Sequence, residues 1–203
     1  MATSATNWDL RHSGAAGKAP QEPAGIVLEL LPLLPRGRAL DIACGTGRHS
    51  LLLAGRGQDV TAMDASAVGL ARLDARAREV AIEISRGPCA VEALPQPRGS
   101  IRIVEADLEK TKLPESAFDL VLCIHYLQRS LFPQMERALR PGGMLLFETF
   151  TRAHLEFGNG PKKPEYLLDS HELSAAFPAL RTIFYRELRA GKGIASLLAQ
   201  KPG

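Results

Sequence analysis

The stretch Arg38-Ala-Leu-Asp-Ile-Ala-Cys-Gly-Thr-Gly-Arg-His-Ser50 decides the fold. Arg38 to Ala43 reads as a buried strand, Cys44-Gly-Thr-Gly47 as a tight glycine turn, and Arg48 to Gly55 as a helix with a leucine-rich face. Strand, glycine turn and helix in that order open a βαβ unit. Glycine is suited to such a turn because, lacking a Cβ, it bends sharply and lets a ligand approach the backbone.

Working downstream, Gln58 to Met63 is a second strand ending at Asp64, and Ser66 is placed to cap a helix running to about Val80. Further strands are predicted at Ile101 to Glu105, Phe118 to Ile124 and Gly143 to Glu148, with a helix at Ser130 to Arg140 stopped by Pro141-Gly-Gly143. Residues 84–100, rich in Pro and Gly, read as a loop or insertion contributing little to the sheet. A polar connection over 150–169 leads to a short helix near Ser170 to Phe177. Two last strands, Leu180 to Leu188 and Ile194 to Gln200, are separated by Ala190-Gly-Lys-Gly193, a spacing that permits a hairpin. Upstream, residues 24–34 form a short apolar helix interrupted at Pro32. Near-continuous apolar strands alternating with helices imply a sheet covered on both faces. The predicted fold is therefore α/β: a doubly wound, mostly parallel, seven-stranded Rossmann-like sheet with an antiparallel last strand. Residues 23–203 make a single domain, 1–22 a mobile arm, and 150–175 a cover for the acceptor side of a site. Trp8 is read either as a lid over a ligand or as a surface packing residue.

Composition narrows the class. With 45% hydrophobic and 23% charged residues in 203, the chain is an ordinary globular protein, and no apolar run approaches a membrane span. Its start carries no basic and apolar leader, so the reading places it in the cytoplasm. Cys44, Cys89 and Cys123 are odd in number and widely spaced, which predicts free thiols and no metal site. A net charge of +3 is spread along the chain, and Arg72, Arg76 and Arg78 are interleaved with Asp74 and Glu79 as on a solvated helix face, which argues against a nucleic-acid partner.

A ligand of such a sheet binds at the carboxyl ends of the strands, where strand order reverses. Asp41, Asp64 and Asp107 occupy those ends. A carboxylate beside the glycine turn disfavours a phosphate and suits an amino group, and Gly45-Thr-Gly-Arg-His-Ser50 lacks the third glycine of GxGxxG. Both points favour a zwitterionic ligand over a dinucleotide.

Ala39-Leu-Asp-Ile-Ala-Cys-Gly-Thr-Gly47 resembles the first motif of class I S-adenosylmethionine-dependent methyltransferases, with Ala43 in place of the motif's first glycine. Glu105-Ala-Asp-Leu108, Phe118-Asp-Leu-Val121 and Leu139-Arg-Pro-Gly-Gly143 look like later motifs of that family, in family order. The Cys44-Gly-Thr-Gly-Arg-His-Ser50 turn is similar to methyltransferases of the tellurite-resistance (TehB-like) type. The resemblance implies S-adenosyl-L-methionine as cofactor: the glycine turn against its methionine part, Asp64 on the ribose hydroxyls and Asp107 facing adenine. It places the cofactor against Asp41, Ala43, Cys44, Gly45, Gly47, Arg48, Asp64, Ala65, Asp107, Leu108 and Cys123, with Arg48 reaching the cofactor carboxylate, an anionic acceptor or only a surface partner.

After the fourth strand the chain reads Cys123-Ile-His-Tyr-Leu-Gln128, without the Asn/Asp-Pro-Pro-aromatic motif of many amino-directed enzymes. His125 and Tyr126 are the catalytic candidates, able to orient or deprotonate an acceptor or merely to line the pocket. His154, Tyr166 and His171 lie in the late connection; Asn159 to Pro164 reads as a lid loop, and Lys162 or Lys163 as anion contacts or solvated charges. The expected activity is methyl transfer to a small molecule by direct displacement. The alternatives are an RNA or protein methyltransferase, a non-catalytic cofactor-binding protein, and an NAD-dependent oxidoreductase.

Overall fold

A computed structural model describes Asp9 and residues 21–89, 99–158 and 160–203. The expectations for most of the 1–22 arm, for Trp8 and for Asn159 lie outside these residues.

Eight strands form one sheet: β1 Arg38–Ile42, β2 Asp59–Asp64, β3 Glu83–Arg86, β4 Ser100–Glu105, β5 Phe118–Ile124, β6 Leu139–Phe150, β7 Arg181–Leu188 and β8 Ile194–Gln200, in the order β3-β4-β2-β1-β5-β6-β8-β7. Neighbours from β3 to β6 pair in parallel; β8 runs antiparallel to both β6 and β7. The doubly wound, mostly parallel architecture with an antiparallel last strand is thus as read from the sequence, but with eight strands and not seven. The added strand is β3, whose Ile84 to Arg86 fall in the stretch read as a loop. Pro88 follows this strand and does not interrupt it, so the short edge pairing with β4 survives.

Helices α1 Gly25–Leu30, α2 Arg48–Gly55 and α3 Ala67–Glu79 cover one face of the sheet, and α4 Phe132–Ala138 and α5 Glu172–Ala175 the other. Strand alternation sorts the core between them: Leu40, Ile42, Met63, Cys123, Leu145 and Phe147 belong to the α4 side, and Ala39, Ala62, Leu122, Ile124 and Leu146 to the α1–α3 side. Ser66 caps α3 by accepting from Gly69 N at 3.0 Å. Asp9 adds to that cap, its Oδ1 accepting from Ser66 Oγ at 2.6 Å and Val68 N at 3.2 Å. The helix expected to reach Arg140 ends at Ala138, and β6 begins at Leu139. Arg140 precedes Pro141, and a residue before proline is pushed out of the helical region.

After β1 the chain winds outward through β2 to β4, then returns to pair β5 on the other side of β1. The order reverses between β1 and β5, which opens a crevice beyond their carboxyl ends. Register aligns Glu105 with Asp64 on one side of the crevice, and Ile124, Glu148 and Ser196 on the other. No helix among the described residues is long and apolar enough to cross a membrane.

Candidate functional site

The glycine turn sits at the mouth of this crevice in left-handed backbone: φ is +55° at Ala43, +56° at Gly45 and +75° at Gly47. Gly47 is also a packing requirement, since a Cβ there would lie 2.1 Å from Leu73 Cδ1 of α3. Arg76 of α3 donates to Thr46 O at 3.1 Å and fastens the turn to that helix. Ala43 takes the left-handed conformation that the motif's usual glycine would take, and so carries its strain.

Asp64 closes the turn. Its Oδ2 accepts from Gly45 N at 2.8 Å and its Oδ1 from Ser66 N at 2.8 Å. Each oxygen keeps a lone pair beyond those bonds. Asp41 is buried at the base of the turn, its Oδ2 accepting from Ser50 Oγ at 2.6 Å. Burial pushes its carboxyl up to about 7, Ser50 and Arg48 opposing the rise and Asp64 adding to it. Asp107 stands in the open, paired with Lys110 at 2.9 Å and accepting from Glu109 N, and the Lys110 bond holds its carboxyl below the usual range. Cys44, Leu108 and Cys123 are buried and Ala65 half-buried along the same rim. Burial drives both the Cys44 and Cys123 thiols well up, which leaves them unreactive at neutral pH.

Arg48, half-buried at the first residue of α2, points across the crevice. Its Nη1 donates to Glu22 O at 3.1 Å and its Nη2 lies 3.4 Å from His125 Nδ1. Burial lowers its pKa, while the charges of Asp41 and Glu148 hold it up. The neighbouring His49 is buried with Nε2 accepting from Ala24 N at 3.1 Å, and desolvation, Arg48 and His125 push its pKa down to about 3.

The two catalytic candidates part company. His125 has φ of +61°, donates its backbone N–H to Glu148 O at 2.7 Å, and stacks on Phe150 with centroids 5.0 Å apart. Its Nε2 lies 3.4 Å from Glu148 Oε1. Tyr126 sits on the other side, within reach of the charges of Asp64 and Asp107, with its hydroxyl donated to Gln128 Oε1 at 2.6 Å. Burial first, and those negative charges after it, raise its pKa, so Tyr126 is unsuited to accept a proton at neutral pH.

Glu148 and Ser196 were not singled out from the sequence. Glu148 is 2% exposed and its Oε2 accepts from Ser196 Oγ at 2.6 Å. Burial would raise its carboxyl, but the bonds from His125 and Ser196 prevail and lower it. The available signal was a lone charge ending the apolar run Met144-Leu-Leu-Phe147. In the late connection, His154 is buried and its Nδ1 accepts from Gly193 N at 3.2 Å, while His171 lies apart against Tyr185. Lys163 pairs with Glu165 at 3.7 Å and lies over the Tyr166 ring, so its charge is already partnered. A bridge from Thr151 to Leu168, with Arg129 bonded to Glu172, Glu165 O and Leu167 O, ties this connection back to the end of β6 and to the segment before α4.

Residues 40–147 match the family model described as a methyltransferase domain. A malonyl-[acyl-carrier protein] O-methyltransferase of Herminiimonas arsenicoxydans is 30% identical over 139 residues, covering 66% of this chain and 45% of that protein. A mitochondrial ubiquinone biosynthesis O-methyltransferase of Schizosaccharomyces pombe is 31% identical over 124 residues, 58% of this chain and 39% of that protein. The matches thus span about half or less of the length of these curated relatives. Among solved structures, TehB from Haemophilus influenzae superposes with a TM-score of 0.69 at 20% identity, over 88% of this chain and 62% of that one, a likeness of fold.

Proposed function

Because this chain belongs to the methyltransferase-domain family, we propose that it transfers a methyl group from S-adenosyl-L-methionine to an oxygen of a small-molecule acceptor. The observation that carries this reading is the locked junction of Gly45 N with Asp64 Oδ2, at the crevice where strand order reverses. The names of the two O-methyltransferase relatives support the choice of oxygen.

The residues present fit the cofactor. Asp64 has both oxygens fixed by backbone N–H groups and keeps outward lone pairs for vicinal hydroxyls. Arg48 and Asp41, opposite charges close enough to shift one another, suit a zwitterion better than a pyrophosphate. Asp107, exposed past β4, is available to an amino-bearing ring edge. The cofactor would supply a methyl carried on a positively charged sulfur. The protein's own work is then alignment and exclusion of water. Asp64, Arg48 and Asp107 hold; the Phe150 and His125 rings form the acceptor wall; and His125 is the group positioned to take a proton from an acceptor hydroxyl.

Calorimetric titration of S-adenosylhomocysteine into wild type and Asp64→Asn tests this. Wild type is expected to bind in the micromolar range and the variant about 10- to 100-fold more weakly, the loss of a hydrogen bond to a charged group. Absence of binding to wild type would overturn the reading.

A further inference from the structure

His125 presents a problem as a base, because both of its ring nitrogens are engaged. Arg48 is a donor only, so its Nη2 at 3.4 Å requires Nδ1 to be the acceptor, which puts the ring proton on Nε2, toward Glu148 Oε1 at 3.4 Å. Glu148 is fixed from behind by Ser196 Oγ and held deep in the sheet, so the Nε2 side is a rigid support. The Nδ1 side is held by a long side chain on a separate element, anchored among the described residues through Glu22 O. One partner of His125 is therefore fixed and the other movable.

We propose that Arg48 masks His125 Nδ1 until the carboxylate of the bound cofactor draws the guanidinium away, and that Glu148 with Ser196 are the positioning residues that keep Nδ1 the basic nitrogen. This rests on the cofactor reading above. The cation already feels the carboxylate of Glu148 and the partly ionised carboxyl of Asp41, so a further anion in the crevice competes for it. Once free, Nδ1 would take the proton of an acceptor hydroxyl whose oxygen would receive the methyl that the sulfonium supplies, the carbon–sulfur electron pair staying with sulfur. The resulting imidazolium is stabilised by Glu148. The order of events follows: cofactor before acceptor. Other groups facing this centre are His49 from α2, Asp41 from β1, Lys192, which acts on Glu148 from the β7–β8 turn, and His154, which packs on Phe150 beside the His125 ring.

The test follows His125 by imidazole nitrogen NMR across a pH titration of the whole chain, alone, with S-adenosylhomocysteine, and with methylthioadenosine, which lacks the amino-acid end. S-adenosylhomocysteine should raise the His125 midpoint, as a cation leaves its side, and methylthioadenosine should not. Arg48→Gln should show the raised midpoint without any ligand and bind S-adenosylhomocysteine about 10-fold more weakly. Glu148→Gln, which removes one of the anions competing for Arg48, should not weaken that affinity, and should move the proton between ring nitrogens and lower kcat. A His125 midpoint indifferent to S-adenosylhomocysteine that nevertheless binds overturns this inference alone. An equal shift with methylthioadenosine, or an Arg48→Gln chain that titrates like wild type, does the same. No binding of S-adenosylhomocysteine to wild type overturns the cofactor reading and this inference with it.

Discussion

Asp41 and His49 flank the glycine turn, both buried, and titrate in opposite senses. Burial moves the carboxyl from 3.8 up to about 7 and the imidazole from 6.5 down to about 3. At Asp41 the folded chain binds the proton more tightly than the unfolded one. Its stabilising contribution is full below the unfolded value and is lost as pH rises through the folded one, a loss of about 2 kcal/mol between pH 5 and 7. At His49 the unfolded chain binds the proton more tightly, so the stability present above pH 6.5 is lost as pH falls, by about 2 kcal/mol between pH 7 and 5. In wild type the two trends nearly cancel, and each is unmasked by removing the other. Going from pH 5 to 7, Asp41→Asn should gain about 2 kcal/mol of stability relative to wild type, and going from pH 7 to 5, His49→Gln should gain about 2 kcal/mol. Gln can still accept from Ala24 N, so the second variant keeps its bond while losing its titration. Urea unfolding followed by far-ultraviolet circular dichroism at pH 5, 6 and 7 measures both. Taking the difference from wild type cancels every group the chains share. Differences that stay flat within about 0.5 kcal/mol across that range would refute the burial argument for both residues.

Relief of the left-handed strain makes Ala43→Gly stabilising by about 0.5–1 kcal/mol, read as a higher urea midpoint; a lower midpoint would mean that the Ala43 Cβ contributes packing that outweighs the strain. Gly47→Ala should cost about 2–4 kcal/mol on the same assay, since its Cβ meets Leu73 at 2.1 Å in backbone with φ of +75°; a near-neutral effect would show that α3 yields easily. In a methyl-transfer assay Tyr126→Phe should retain kcat within about 3-fold while His125→Gln loses about 100-fold or more, and the reverse ranking would return the proton transfer to Tyr126.

Much of this protein was written in local patterns. Apolar strands, a glycine turn and leucine-faced helices are short-range features, so β1, α2, β2 and the α3 cap at Ser66 stood in the sequence at nearly their observed bounds. The same locality placed Asp41, Asp64 and Asp107 at strand ends. The edge strand β3 was hidden because its four residues have no buried face of their own, and only pairing with β4 makes Glu83–Arg86 a strand. Most of the acceptor side was decided by tertiary structure. Arg48, His125, Glu148 and Ser196 come from four separate elements, and it is the register of β5, β6 and β8 that sets Ile124, Glu148 and Ser196 in one row beside His125. The sequence by itself determined seven of the eight strands, the glycine turn and the positions of the three aspartates, because each depends on residues a few positions apart. Which charge faces which imidazole nitrogen was settled by strand pairing across the crevice, because neighbours brought together by hydrogen-bonded register leave no trace in sequence spacing.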